Sequence, residues 1–445
     1  MTSPSLAHML TDTPYVAYAY AYPHKTAYRP FASPVPLREL WANEDRDALF
    51  LYIHVPFCEM RCGFCNLFTT ANPAGSIAAA YLAALRGEAE QVRTALGRAS
   101  FARMAMGGGT PTYLDVADLG ALLDIAEELY GVDLATVPVS VETSPQTAEA
   151  DKLRLLRERG VDRISIGVQS FVEAEARAAG RAQRSTTVER ALANIRECGF
   201  PTLNIDLMYG LPGQTVESWL TSLRAALRYV PEEMYLYPLY VRPLTGLGRC
   251  GQASPDAADD LRLACYRAGR ELLLAAGYTQ VSMRMFRAAH APEEIGPVYC
   301  MQEDGMVGLG CGARSYTRTH HYSAEYAVGS AGVRAILQDY IARPVEWFAA
   351  AHYGFFLDEE EQRRRYAIKS LLEGGGLLLD RYHQRFASSV FDDLPELDEL
   401  HEHGLAASAG DTLALTEAGI ELSDIIGPWL YSARVRDLMG DYAWR

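Results

Sequence analysis

The chain of 445 residues predicts an α/β fold, a partial (β/α)6 TIM-like barrel with extra strands and a small C-terminal winged-helix-like α+β module. Three observations predict it. Between Leu49 and about Arg242 six short β-rich runs alternate with longer amphipathic helical stretches, the pattern of a parallel sheet with crossover helices. A composition that is 49% hydrophobic supplies core for one large domain and a smaller one. Finally, the polar and glycine-rich oddities of the chain fall at or just beyond the ends of the β-rich runs, where barrels of this kind hold their ligands.

The first 48 residues are different in kind. YVAYAYAYPHKTAYRPF is rich in tyrosine, and Tyr18, Tyr20 and Tyr22 would share one face if the segment were extended. Such an arm either lines a substrate or packs on the barrel as a strand or clasp. Residues 49–345 are expected to form the barrel and its extension. The strands are LFLYIHV, ARMAM, VPVSVET, RISIGVQ, LNIDLMY and MYLYPLYV. Between them, SIAAAYLAALRGEAEQVRTAL and TTVERALANIRECG repeat apolar residues at three- and four-residue intervals. A helix from about Pro255 to Gly277 leads to YTQVSMRMF and VYCMQEDGMVGLGCGARSYT, which read as further strands around a glycine-rich turn. From Leu357 to the end, the third segment opens on DEEEQRRR. Its Glu360–Arg364 and Glu361–Arg365 pairs suggest a solvated helical face. GLAASAGDTLALTEAGIELSDIIGPWL then reads as a hairpin and a helix, which the acidic charge makes a cap or lid in preference to a DNA-binding module.

Directly after the first strand stands HVPFCEMRCGFCNLF, with Cys58, Cys62 and Cys65 spaced C-x3-C-x2-C. Thiolates hold cubane iron–sulfur clusters, and three close together can fix three irons while the fourth stays open for chemistry. Zinc would require a fourth Cys or His nearby. Asn66, Leu67 and Phe68 follow instead, and His54 belongs to the apolar strand. The other five cysteines, Cys198, Cys250, Cys265, Cys300 and Cys311, lack any pairing rhythm, as in a reducing compartment. Of these, only Cys300 and Cys311 stand near or within GLGCG, and core packing is the simpler account of both.

GGGTPT, Gly107 to Thr112, follows the second strand. Gly108 and Gly109 let a ligand approach the backbone, and no Gly-Lys-Ser/Thr follows to make a phosphate loop. Glu142, Gln169, Arg181 and Asp206 stand at or beyond predicted strand ends. Together they offer carboxylates, an amide and a guanidinium, the partners that an amino-acid tail and a ribose need.

The cysteine run, with Phe64 before its last thiol, resembles that of radical S-adenosylmethionine (SAM) enzymes, and the chain from Tyr52 to Asp206 resembles their oxygen-independent coproporphyrinogen III oxidase family. The likeness extends more loosely to GLGCGARSY and the C-terminal module. It implies a [4Fe–4S] cluster on Cys58, Cys62 and Cys65, and a 5′-deoxyadenosyl radical released by reductive cleavage of SAM. It also implies one SAM, or two side by side, lined by Tyr52, Phe64, Gly108, Gly109, Thr110, Glu142, Gln169, Arg181 and Asp206. Gly310 to Arg314 would close over them. Three departures matter: Leu67 stands where porphyrin-oxidising members have a further cysteine, the Tyr-rich arm does not match their N-terminal segment, and PVYCMQEDGMVGLG lacks the His-Asn-x-x-Tyr-Trp run of the haem-chaperone branch. Methyl or methylene transfer or C–H oxidation of a small molecule in a specialised pathway is therefore expected. Coproporphyrinogen III oxidation is the alternative, and a haem-binding chaperone the alternative of another class. A flavodoxin or ferredoxin would supply electrons. A formal charge of −15 disfavours nucleic acid. With no signal-like start and no apolar run of membrane-spanning length, a cytoplasmic protein is expected.

Overall fold

A computed structural model describes residues 5–250, 255–293 and 296–445. Six parallel strands form the barrel wall: β1 (Leu49–Val55), β2 (Phe101–Gly108), β3 (Val139–Thr143), β4 (Arg163–Gln169), β5 (Thr202–Tyr209) and β6 (Glu233–Pro238). Each coincides with a predicted run to within three residues at either end. The wall does not close on itself. Met306–Leu309 adds in parallel to the outer side of β1, and Met285–Ala288 adds antiparallel to β6. Arg314–Tyr316, His320–Ser323, Ala350–Phe356 and Arg29–Pro36 continue the sheet past Met306–Leu309, and Tyr278–Gln280 ends it beyond Met285–Ala288, so thirteen strands share one sheet.

Helices cover the outer face for the reason their spacing suggests. In Gly75–Leu96 the residues Ala78, Tyr81, Leu85, Ala89, Val92 and Leu96 are buried, a stripe at intervals of three and four. The helix stops at Gly97, which takes φ +66°. Val216–Leu227 begins with a reciprocal cap between Thr215 and Ser218 and buries Trp219, whose indole N–H donates to the Cys265 carbonyl at 2.8 Å. Among the described residues no helix is long and apolar enough to cross a membrane.

A second core lies in the C-terminal part. Leu377–Leu378, Ala406–Ala409 and Thr412–Leu415 make a three-stranded antiparallel sheet, packed with helices Glu359–Leu371, Leu379–Phe386 and Ser423–Trp429. The helix opened by DEEEQRRR departs from expectation. Glu360 pairs with Arg364 at 2.9 Å, but Glu361 and Arg365 are buried and do not pair with each other. Glu361 accepts from the hydroxyls of Tyr22 and Ser432, and Arg365 donates to the carbonyls of Met301 and Gln302. Intrahelical spacing alone cannot foresee partners that arrive from other segments.

The tyrosine arm is likewise not an extended strip. No strand forms between Tyr15 and His24, and its rings part company: Tyr18 and Tyr20 lie 5.4 Å apart by ring centres, whereas Tyr22 packs on Tyr431 in the second core at 5.2 Å. Tertiary partners override the alternation because the arm crosses from one core to the other.

One buried ion pair joins the halves. The Arg284 guanidinium, just before Met285–Ala288, donates to both carboxylate oxygens of Asp424 at 2.8 and 2.6 Å and to the Tyr240 hydroxyl at 2.7 Å. Removing one member of such a pair leaves the other charge buried without compensation. Asp424→Ala should therefore destabilise the fold by about 3–5 kcal/mol, read as a lower urea midpoint; an unchanged midpoint would remove this pair from the forces joining the two cores.

Candidate active site

The C-terminal ends of the parallel strands carry the loop of the three cysteines. It is fixed to its surroundings mainly through backbone. Thr110 N–H donates to Phe57 O at 2.7 Å and Gly109 N–H to Val55 O at 2.8 Å, tying the cysteine loop to the end of β2. A Cβ on Gly109 would stand 2.6 Å from Phe57 O, so only glycine permits this approach. Farther along, Gly63 N–H donates to Ala179 O at 3.0 Å and its carbonyl accepts from Leu247 N–H at 2.7 Å.

His54, at the end of β1, passes in the sequence for one more residue of an apolar strand. It is buried, its Nε2 lies 3.0 Å from the Phe68 carbonyl, and its Nδ1 lies 3.5 Å from the Tyr52 hydroxyl. Glycines flank its ring on two sides: a Cβ on Gly108 would meet the imidazole at 2.2 Å and one on Gly312 at 2.5 Å. Burial pushes its pKa down to about 4, so the ring is neutral and Nε2–H donates to Phe68 O. GGGTPT and GLGCG, far apart in sequence, thus pack on one imidazole.

Each cysteine has its own polar neighbour. Thr110 Oγ1 donates to Cys58 Sγ at 3.5 Å, Arg181 Nη1 donates to Cys62 Sγ at 3.2 Å, and Thr69 Oγ1 lies 3.6 Å from Cys65 Sγ. Burial pushes the Cys58 thiol up to about 12 and raises Cys62 as well, and the neighbouring thiols of the loop add to both shifts. Among the described residues no three His, Cys, Asp or Glu side chains close around a single ion. Three thiols on one loop, each facing a polar partner, are a donor set that could hold a cluster.

Below the loop the barrel encloses a cavity of about 190 Å³ between β2 and β6. Its lining alternates along the strands: Ser140 and Glu142 from β3, Arg163 and Ser165 from β4, Asn204 and Asp206 from β5, Tyr235 and Tyr237 from β6. Glu142 faces this lumen and accepts from Gly108 N–H at 3.0 Å. Its depth in the protein, assisted by Asp206, pushes the carboxyl up to about 7. Burial likewise raises Asp206 to about 6, against the hydrogen bond from Asn204 Nδ2 at 2.7 Å and the field of Arg163. Arg163 is anchored by Glu233 at 2.7 Å. Two carbonyl oxygens, Gln169 Oε1 and Asn204 Oδ1, are buried with no hydrogen-bond partner among the described residues. Of the two, Asn204 Oδ1 lines the cavity with both carboxyls, and an acceptor left open there suits a ligand rich in donors and carrying positive charge, as SAM is.

Tyr52, Glu142 and Asp206 therefore come together in the lumen, with Asp206 midway along β5 and not at its end. Gly109 and Thr110 serve the cysteine loop, and Gly108 gives its N–H to Glu142 and room to the His54 ring. Gln169 takes φ +69° at a register shift, an uncommon conformation for a side-chain-bearing residue that re-aims it at the strand end. Arg181 turns to Cys62 and to the Gly167 carbonyl at 2.5 Å. Phe64 packs against the apolar group of Met208, Leu211 and Leu239. Sequence reasoning misses His54, Arg163, Asn204, Tyr235 and Tyr237. Period-two alternation in RISIGVQ, LNIDLMY and MYLYPLYV is a signal that places all but His54 on the lumen face.

Comparison with known proteins agrees with this geometry. The Radical SAM superfamily matches residues 52–226. The heme chaperone HemW of Bacillus subtilis is 28% identical over 85% of this chain and 98% of its own length. HemW of Escherichia coli is 33% identical over 60% of this chain and 69% of its own, and the oxygen-independent coproporphyrinogen III oxidase of Paracoccus denitrificans 33% identical over 54% and 53%. In fold, the solved structure of the Escherichia coli coproporphyrinogen III oxidase HemN superposes with a TM-score of 0.78 over 97% of this chain and 99% of its own, at 24% identity. The chain belongs to the radical SAM superfamily, in its oxygen-independent coproporphyrinogen III oxidase-like family, and its cofactors are that family's [4Fe–4S] cluster and S-adenosylmethionine.

Proposed function

We propose that this chain is a radical SAM enzyme acting on a small molecule, with Cys58, Cys62 and Cys65 as the cluster ligands and the lumen below them as the SAM site. The observation that carries the reading is a set of three thiols, each with its own polar partner, standing over a cavity lined by two carboxyls and the unpartnered carbonyl oxygen of Asn204. When bound, the cluster supplies the electron that cleaves SAM to methionine and a 5′-deoxyadenosyl radical. The protein's own part is positional and electrostatic. Thr110 and Arg181 donate to the sulfurs of Cys58 and Cys62, which favours the thiolates. Glu142, held by Gly108 N–H, offers a carboxylate to the ammonium or ribose of SAM. Asp206 and Asn204 are placed for hydroxyls deeper in the lumen, and the barrel wall keeps water from a reactive carbon.

Methyl or methylene transfer and C–H oxidation both begin with such a radical; Leu67 at the place of a further cysteine favours a substrate other than coproporphyrinogen III. The HemW relatives support a second reading, a haem-binding chaperone. One experiment separates them. The anaerobically reconstituted chain should hold about four irons and four sulfides, and with dithionite it should convert SAM to methionine and 5′-deoxyadenosine, seen by chromatography. Replacing Cys58, Cys62 or Cys65 by Ala should abolish both. Stoichiometric haem binding without SAM cleavage would defeat the enzyme reading, and stoichiometric zinc without sulfide would defeat the cluster assignment. Adding coproporphyrinogen III then decides the branch by whether protoporphyrinogen IX forms.

The raised pKa of Glu142 gives this reading a pH dependence. A carboxyl with a pKa of about 7 is mostly protonated at pH 6 and mostly ionised at pH 8. SAM, as a cation, should therefore bind more tightly as the pH rises through 7, by up to about tenfold between 6 and 8. Glu142→Gln should flatten the profile while leaving the cluster absorbance unchanged. An equally steep profile in the variant would remove Glu142 from the SAM site.

A further inference from the structure

Two cations at the mouth of the barrel face a phenol where a carboxylate would be expected. The Arg314 guanidinium, on the far side of the GLGCG turn, lies 4.8 Å from the ring centre of Tyr20. The Lys25 ammonium lies 3.6 Å from the ring centre of Tyr326. Both act on the Tyr20 hydroxyl, and together they overcome its burial to hold that phenol below its usual range. The strongest electrostatic neighbours of Arg314 are Tyr20, Tyr316, Tyr28 and Tyr52; those of Lys25 are Tyr20, Arg314 and Cys65. No carboxylate is in either set. Arg314 Nη1 is buried without a hydrogen-bond partner among the described residues, and so is the Tyr28 hydroxyl nearby.

Burying a cation without an anion is costly. In a chain of net charge −15 acids are not scarce, yet no carboxylate is among the strongest neighbours of Arg314 or Lys25, and the one anionic group near Lys25 is the Cys65 thiolate, so Arg314 above all is left open to an anion from outside. We propose that Arg314 and Lys25 form a subsite for a carboxylate of the substrate, with the Tyr20 hydroxyl standing at that place in this structure. A guanidinium presents a planar fork that matches a carboxylate in two contacts, and the ammonium adds a point charge. Tyr20, Tyr52, Tyr28 and Tyr316 around them give aromatic walls, which suit an unsaturated or aromatic acid. Tyr52 has both Arg314 and the lumen carboxyl Glu142 among its electrostatic neighbours. Tyr20 is held there partly by its carbonyl, which accepts from Lys369 Nζ at 3.0 Å, and its ring packs against Tyr18 at 5.4 Å between ring centres.

The subsite rests on the reading of this mouth as the place where a substrate is processed, and its test is independent of turnover. The probe is 1-pyrenebutyrate, a flat aromatic carboxylate, against uncharged 1-pyrenebutanol, followed by fluorescence anisotropy on the full cluster-loaded chain with and without saturating SAM. The acid should bind at least about tenfold more tightly than the alcohol in both conditions. Arg314→Gln and Lys25→Gln should bring the two to parity, while Arg314→Lys, which keeps the charge, retains part of the preference. Parity in the unaltered chain overturns the subsite. Loss of the preference on adding SAM assigns the cations to the SAM carboxylate and also overturns it. Failure of SAM cleavage with the preference intact would instead fault the enzyme reading alone.

Discussion

The distance between the cysteine loop and the end of β2 governs the rest of the site. Gly109 lets the two backbones come within hydrogen-bonding range, and the glycines at 108 and 312 leave room for the His54 ring between them. A side chain at any of these positions would push one segment off another, and the loop would lose its register over the lumen. Because the contacts are backbone to backbone or backbone to a neutral ring, they do not titrate near neutral pH, and the loop's position is independent of the protonation changes below it.

Within the lumen, electrostatics is layered. Arg163 and Glu233 neutralise each other at the floor, so the field they leave on Asp206 is modest. Above them Glu142 and Asp206 are raised by burial and held part-way to neutrality, a condition that a cationic ligand reverses. Beside Tyr52 the chain places two further cations, Arg314 and Lys25, that face aromatic rings.

The barrel is legible in the sequence because its strands are short, β-rich and separated by amphipathic helices. RISIGVQ and LFLYIHV occupy the expected residues in full. The cysteines and GGGTPT are legible because spacing and missing Cβ atoms carry chemistry in themselves. What escapes depends on contacts between distant segments. His54 looks like one more residue of a buried strand until two glycine-rich turns arrive on its ring. Glu361 and Arg365 have helical spacing, but their partners come from residues 22, 432, 301 and 302. A guanidinium at position 181 suggests a carboxylate partner, and only the fold shows Arg181 beside a sulfur.

The tyrosine arm has a consequence for how this protein comes apart. Ala17 N–H donates to the Asp424 carbonyl at 3.3 Å, Tyr22 is hydrogen-bonded to Glu361 and Ser432, and Arg242 Nη2 donates to the Val16 carbonyl at 3.1 Å. A single strand of chain is thus stitched into both bodies while its middle residues roof the mouth. Partial opening of the C-terminal body would drag the roof with it, so the two cores and the mouth form one cooperative unit for local unfolding. Hydrogen exchange in the arm would then report the opening of a sheet built from the opposite end of the chain.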